Sequence, residues 1–198
     1  MSSVPAHKPA SSTHFDVLSL PVRYALDAEE LESRYREASR HWHPDRFARA
    51  PVSERAAVLQ RATDLNQAYR VLKSDERRAE YLLKLRGVDL TSEESGKQPA
   101  MDPEFLGEVL ELREELVEAR AARSKDRVHA VKKSVEDRVD RHRAALAAGF
   151  TKLEAGDASL IAPLTKIVLE QRYHRRFLDE IAALEDALSE LPEAASAT

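Results

Sequence analysis

Apolar residues recur at helical spacing along most of this 198-residue chain, and this periodicity is the feature that most limits its fold. The clearest stripe lies in segment 125–149 and consists of Val128, Val131, Val135, Val139 and Leu146. Only 5 glycines and 9 prolines are present, and turn signals at strand spacing are missing. The pattern therefore predicts an all-α protein and argues against a β-sandwich or β-barrel.

The first half of the chain is predicted to begin with a short apolar helix at 14–20, followed by a longer one. The longer helix starts at Asp27, which together with Glu30 forms a capping-box pattern. It should end by His43, because Pro44 disfavours helical geometry in the residue before it.

A second long helix is predicted after the loop at 43–52, with Ser53 as its N-cap. It should lie antiparallel to the helix before the loop. A further helix covers roughly 75–86 and ends before Gly87. The side chains expected to form the core of the antiparallel pair are Tyr35, Trp42, Leu65, Tyr69 and Leu72.

Three long helical patterns predict an antiparallel bundle in the second half. They cover about 103–122, 125–149 and 157–190, and Pro163 should start, kink or interrupt the last of them. The predicted organisation has five parts: a disordered tail at 1–13, a first domain at 14–90, a Ser/Gly/Pro-containing linker at 91–103, a three-helix domain at 104–190 and a second tail at 191–198.

Composition argues against several classes of function. The chain has no cysteine, so disulfides, thiolate metal sites and cysteine nucleophiles are excluded, and a reducing compartment such as the cytoplasm fits. No run of 18 apolar residues indicates a membrane span. The net charge is −4 and no strongly basic stripe exists, which disfavours nucleic-acid binding. Because the chain also lacks a Gly-rich phosphate loop, we expect no cofactor, no resident metal and no enzymatic activity.

A His-Pro-Asp triplet lies in the loop between the two antiparallel helices. Pro44 stiffens the turn, and His43 and Asp45 become exposed polar groups able to make directed hydrogen bonds to a partner. An alternative is a metal site that uses His41 with these two side chains, although no further ligand pattern joins them.

The end of the helix before this loop is basic. Arg36 and Arg40 fall about 40° apart on one helical face, and Arg46 adds a third positive charge just beyond the triplet. An electrostatic contact with an acidic partner is one interpretation. The alternative is that basic residues at a helix C-terminus simply complement the helix dipole.

The helix at 103–122 carries more apolar surface than one packing face needs. The face that includes Phe105 is expected to enter the bundle core, and a second apolar stripe is centred about 110° away. This second stripe consists of Leu106, Leu110 and Val117, and it is bordered by Gly107, Glu111, Glu114 and Glu118. An apolar strip edged by carboxylates is typical of a docking surface. The alternative is that a central helix buries a wide face against two neighbours.

Three segments of the first half resemble the J-domain family: FDVLSLP at 15–21, LESRYREASRHWHPDRF at 31–47 and LNQAYRVLKSDERRAEYLL at 65–83. The resemblance implies a co-chaperone that docks on a 70-kDa heat-shock (DnaK-like) ATPase and triggers ATP hydrolysis. It assigns the trigger to His43, Pro44 and Asp45, and the electrostatic contacts to Arg36, Arg40 and Arg46.

The rest of the chain resembles the HscB branch of that family, in AEYLLKLRGVDLTSE at 79–93, FLGEVLELREELVE at 105–118 and RRFLDEI at 175–181. The resemblance implies an L-shaped arrangement of a J-domain and a three-helix bundle. It implies that the bundle binds the iron–sulfur scaffold IscU and brings it to the chaperone HscA, whose ATP hydrolysis promotes cluster transfer. The scaffold contacts that it assigns are Leu106, Leu110, Glu111, Glu114, Glu118 and Phe177, with Gly107 standing where some members have Met.

Overall fold

The computed structural model describes residues 13–90 and 101–190, and all regular structure within them is helical. The prediction of an all-α protein is therefore confirmed. The chain divides into two compact units, with the boundary between Val88 and Asp89. The helices are α1 (His14–Val17), α2 (Ala28–His41), α3 (Val52–Lys73), α4 (Asp75–Lys84), α5 (Pro103–Ala121), α6 (Lys125–Glu154) and α7 (Ile161–Glu190).

Parts of the sequence prediction lie outside the described residues. These are the tail at 191–198, most of the tail at 1–13, and linker residues 91–100. None of the helices in the described ranges is long and apolar enough to cross a membrane.

The first unit is built around α2 and α3, which run antiparallel as predicted. Tyr35 of α2 donates from its hydroxyl to Oδ1 of Asn66 at 2.8 Å. Near the other end of the pair, the guanidinium of Arg61 lies 5.1 Å from the ring centroid of Trp42. As α2 proceeds from Tyr35 to Trp42, its partners on α3 move back from Asn66 to Arg61, so the two helices run in opposite directions. Helix α1 packs across α3 and places the fully buried ring of Phe15 in the core.

The core of this unit differs from the prediction in its aromatic residues. Leu65 and Leu72 are buried, as expected. Tyr35, Trp42 and Tyr69 are only partly buried, so their assignment to the core is wrong. The two tyrosine rings stack face to face with centroids 4.0 Å apart, which leaves their hydroxyls near the surface to form hydrogen bonds.

The helix starts are decided by local capping. Oδ1 of Asp27 accepts from the backbone N–H groups of Glu29 and Glu30, at 2.8 and 3.0 Å, which confirms Asp27 as the N-cap of α2. The prediction of Ser53 as a cap is wrong. Pro51 occupies the N-cap position of α3, and no side chain caps that helix, because the proline ring carries no hydrogen-bond acceptor.

The second unit consists of α5, α6 and α7, which pack on one another around a common apolar core. Helix α6 continues to Glu154, beyond the predicted end at 149, and the chain turns at Gly156, where φ is +107°. Pro163 is the third residue of α7. In the first turn of a helix the missing N–H of proline removes no hydrogen bond, so Pro163 belongs to the start of the helix.

Candidate functional site

The His-Pro-Asp loop forms a short 3-10 turn, Pro44–Phe47, that projects its polar groups into solvent. His43 is the N-cap of this turn, and its Nδ1 accepts from the backbone N–H of Asp45 at 3.3 Å. The same Nδ1 lies 3.6 Å from Oδ2 of Asp45, and the two side chains are 56% and 90% exposed. The predicted picture of two exposed polar groups on a stiff tip therefore agrees with the geometry.

Aromatic contacts anchor this loop to the helices on both sides. The ring of Trp42 stacks on that of Phe47, with centroids 6.2 Å apart and planes at 13°. Arg61 of α3 covers the same indole. Sequence analysis did not single out Phe47 or Arg61, although an aromatic residue so close to the triplet was the available signal.

The three predicted arginines have different surroundings. Arg36 donates from Nε to Glu32 at 2.9 Å and still keeps its side chain 71% exposed. Arg40 is exposed, and its backbone carbonyl accepts from Nη1 of Arg46 at 3.1 Å. Arg46 therefore closes the end of α2 with one of its donors, while Arg36 and Arg40 remain accessible to a partner.

A groove of about 960 Å³ runs beside α2, and Arg36 and Arg40 line it. Across the groove, the hydroxyl of Tyr69 donates to Glu32. This hydrogen bond, with help from Arg36, lowers the pKa of the Glu32 carboxyl. The ammonium of Lys73 lies 5.2 Å from the ring centroid of Tyr69 and adds a further positive charge to the groove.

The second apolar stripe of α5 faces solvent. Leu106 is 45% exposed, Leu110 61% and Val117 66%. The opposite face is buried in the bundle and consists of Phe105, Val109, Leu112 and Leu116. The alternative in which α5 buries both faces therefore does not hold.

The carboxylates beside this stripe differ in their pairing. Oε2 of Glu118 accepts from Nη2 of Arg127 at 2.7 Å. Glu111 and Glu114 are exposed and form no ion pair within the part of the chain that the structure describes. At about 100° per residue, Arg113 and Arg120 lie along the other edge of the stripe. The stripe thus has one acidic edge and one basic edge.

Gly107 lies inside α5, on the same edge of the stripe as Glu114 and Glu118. It is exposed, and a Cβ added to it would meet nothing within 4 Å. The absence of a side chain there leaves a gap in the apolar surface.

The structure does not bring Phe177 to this surface. Its ring is 1% exposed and packs in the core with Leu116 and Ile181. Of the six residues that the resemblance assigns to scaffold contact, five lie on exposed positions of α5 and the sixth lies beneath them.

The metal alternative for the loop finds no geometric support. Within residues 13–90 and 101–190, no three His, Asp or Glu side chains lie close enough together to hold a metal ion. His41 instead makes an edge contact with the ring of Trp42, at 4.8 Å between centroids.

Each unit matches a different protein-family model. Residues 13–81 match the DnaJ domain, and residues 101–196 match the HSCB C-terminal oligomerisation domain. Similar curated proteins carry the name co-chaperone protein HscB homolog. The one from Cupriavidus taiwanensis is 43% identical over 143 residues, which is 72% of this chain and 78% of that protein. The one from Burkholderia multivorans is 42% identical over 125 residues, which is 63% of this chain and 70% of that protein.

Solved structures show the same likeness. Chaperone HscB from Vibrio cholerae matches with a TM-score of 0.75 and 30% identity, over 89% of this chain and 99% of that one. The crystal structure of human co-chaperone protein HscB matches with a TM-score of 0.77 over 89% of this chain and 83% of that one. Because the identity is 23%, the match to the human protein supports a shared fold and nothing further.

Proposed function

The chain belongs to the HscB family of J-domain co-chaperones of iron–sulfur cluster assembly, and from that premise we propose a separate role for each of its two units. It is a non-enzymatic partner of a 70-kDa heat-shock chaperone. In our proposal that chaperone is HscA-like, and the first unit stimulates its ATPase through His43, Pro44 and Asp45. The second unit binds an IscU-like iron–sulfur scaffold through α5 and presents it to the chaperone for cluster transfer.

The geometry of the loop supports the role of the first unit. His43 and Asp45 offer directed polar groups on a tip whose backbone is constrained by Pro44 and by the stacking of Trp42 and Phe47. Arg36 and Arg40 provide exposed positive charge nearby. Contacts of this kind give fast, weak, salt-sensitive docking, because exposed charges attract at a distance but are screened beyond about 10 Å at 0.1 M salt.

The role of the second unit rests on one observation, which is that α5 exposes Leu106, Leu110 and Val117 although its other face already fills the bundle core. Isolated exposed apolar residues are common, but three that share one face of a helix are typical of a binding surface. Exposed Glu111 and Glu114 at its edge favour a partner with basic residues around an apolar patch. The lack of cysteine agrees with the cytoplasmic location that we propose with this function.

Titration calorimetry of the full chain with an IscU-type scaffold tests the role of the second unit. We expect wild type to bind, and the double variant Leu106→Ala/Leu110→Ala to bind at least tenfold more weakly, since two apolar contacts near the centre of an interface account for about 1 kcal/mol or more each. The matched control is Leu59→Ala in the first unit, because Leu59 and Leu110 are both 61% exposed. It should bind like wild type.

Three results would count against the proposal. Absence of binding by the folded wild-type protein would remove the scaffold as the partner. Equal binding by the double variant would move the site away from the stripe. Concentration-dependent dimerisation that disappears in the double variant, without scaffold binding, would assign the stripe to a second copy of this chain.

A further inference from the structure

A polar cluster lies inside the three-helix unit, apart from the second apolar stripe of α5. We call it the His layer; its central residues are His142 of α6 and Glu170 and His174 of α7. His174 is 1% exposed, yet neither of its ring nitrogens has a hydrogen-bond partner among the described residues. Its ring centroid lies 5.3 Å from that of His142 and 5.4 Å from that of Phe105 on α5.

The charged groups around the layer come from all three helices and border a pocket of about 290 Å³. They are Asp102, Glu104 and Glu108 at α5, Arg138, Arg141 and His142 on α6, and Lys166 and Glu170 on α7. Most of the carboxylates are already occupied. Lys166 contacts Asp102 at 2.6 Å, Arg138 contacts Glu108 at 3.3 Å, and Nε2 of His142 lies 3.3 Å from Oε2 of Glu170.

A neutral imidazole suits this place better than a charged one. Burial, followed by the charges of His142 and Arg138, lowers the pKa of His174 to about 4, and Glu108 offsets only part of this effect. Burial also lowers the pKa of His142. Glu170 acts in the opposite direction: burial raises the pKa of its carboxyl, so protonation of Glu170 on acidification favours the closed unit.

Phe105 links the layer to α5. Its ring meets the rings of His174 and Tyr173 edge to face, at 5.4 and 5.8 Å between centroids. Phe105 is the third residue of α5, and it precedes Leu106 at the start of the exposed stripe. The first half of α5 is therefore in direct contact with the His layer.

We propose that the His layer is an acid-sensitive latch, which holds the first half of α5 on α6 and α7 while His174 is neutral and releases it when that imidazole gains a proton. A proton on the closed layer creates a buried charge whose two N–H donors lack acceptors. Release lets the imidazole reach water. If the proposed scaffold site on α5 is right, acid also weakens scaffold docking, and that consequence alone rests on the proposed function.

Hydrogen exchange of the full chain at pH 7 and pH 5, without any partner, tests the latch. After correction for intrinsic exchange rates, the opening equilibrium constant of residues 105–112 should be about twentyfold larger at pH 5 than at pH 7. The reason is that His174, with a pKa of 6.5 when open and about 4 when closed, is protonated at pH 5 almost only in the open form. Residues 145–153 of α6 serve as the internal reference and should change much less.

Three variants complete the test. His174→Gln should remove most of the rise, because its amide does not titrate. His142→Gln should reduce the rise, because the charge of protonated His142 helps to lower the pKa of His174. This variant provides a second test if His174→Gln does not fold. His129→Gln, at an exposed position of α6, should retain the full rise.

Two outcomes would overturn the latch. One is an equal rise at 105–112 and 145–153, which would mean that acid opens the whole unit. The other is an unchanged rise in folded His174→Gln. Both are read without the scaffold, so they leave the proposed function untouched.

Discussion

The guanidinium of Arg113 lies over the ring of Phe177, 5.3 Å from its centroid, and closes the gap between α5 and α7. Arg113 also donates from Nε to the hydroxyl of Tyr173 at 2.7 Å and lies 3.4 Å from Oε2 of Glu180. The contact with Tyr173 raises the pKa of Arg113 above its ordinary value. Phe177 thus lies under Arg113, at the edge of the exposed stripe of α5, and is not part of the exposed surface.

Replacing Phe177 should affect stability before it affects docking. Because the ring is 1% exposed, we expect Phe177→Ala to lower the free energy of unfolding by about 3–5 kcal/mol, as removal of a buried aromatic side chain usually does. Urea denaturation followed by circular dichroism measures the change. Leu110→Ala, at an exposed position, should shift the same quantity by no more than about 0.5 kcal/mol. A Phe177→Ala variant with wild-type stability would place the ring outside the core.

His43→Gln should abolish stimulation of an HscA-like ATPase while the first unit stays folded. The imidazole is more than half exposed and contributes little to packing, but its Nδ1 holds the N–H of Asp45 at the tip of the turn. Single-turnover ATP hydrolysis should fall to the rate without co-chaperone. His129→Gln is the matched control, since it removes an exposed histidine from the second unit. Wild-type stimulation by His43→Gln would show that the trigger lies elsewhere.

Arg61→Gln tests whether the loop must be held rigid. Arg61 lies on α3 and covers Trp42, which in turn stacks on Phe47, so its loss should loosen the triplet without removing any of its groups. We expect several-fold weaker stimulation at a cost of about 0.5–1 kcal/mol in stability, the usual strength of a partly exposed cation–π contact. Arg55→Gln, at an exposed position on the same helix, should stimulate normally. If Arg61→Gln stimulated the ATPase as strongly as Arg55→Gln, the contact of Arg61 with Trp42 would not be needed to position the loop.

Sequence periodicity predicted the helices well because burial itself repeats with the helical turn. It could not decide whether the second apolar stripe of α5 is also covered, since that depends on where α6 and α7 pack. The spacing of Leu106 and Leu110 fits a buried face as well as an exposed one, and only the structure shows them in solvent.

Two of the remaining errors come from contacts between residues far apart in the chain. Phe177 is buried in the bundle core, and a side chain 64 positions earlier, Arg113, covers its ring. The partial exposure of Tyr35 depends on its stacking with Tyr69. The error at Ser53 is local: Ser53 satisfied the rule for an N-cap, but the helix begins earlier, with Pro51 at the N-cap position. Local sequence patterns predict where the helices lie, whereas contacts between distant residues decide how exposed each side chain is.

Two glycines of the second unit should respond in opposite ways to the same substitution. Gly107 lies inside α5 with open space around it, so Gly107→Ala should raise the free energy of unfolding by about 1 kcal/mol through helix propensity alone. Gly149 lies inside α6, and a Cβ there would stand 2.6 Å from Cδ2 of the buried Leu164. In Gly149→Ala the contact with Leu164 should cost more than the gain in helix propensity, so this variant should destabilise the unit.

Urea denaturation of both variants measures the contrast, and calorimetry with the scaffold adds a second readout at Gly107. A larger apolar side chain, in Gly107→Met, should strengthen scaffold binding by filling the gap beside Leu106 and Leu110, while Gly149→Ala in its folded state should bind as wild type does. Equal stability changes at the two glycines would contradict the packing around Leu164. Stabilisation by Gly107→Met without any gain in binding would exclude this position from the docking surface.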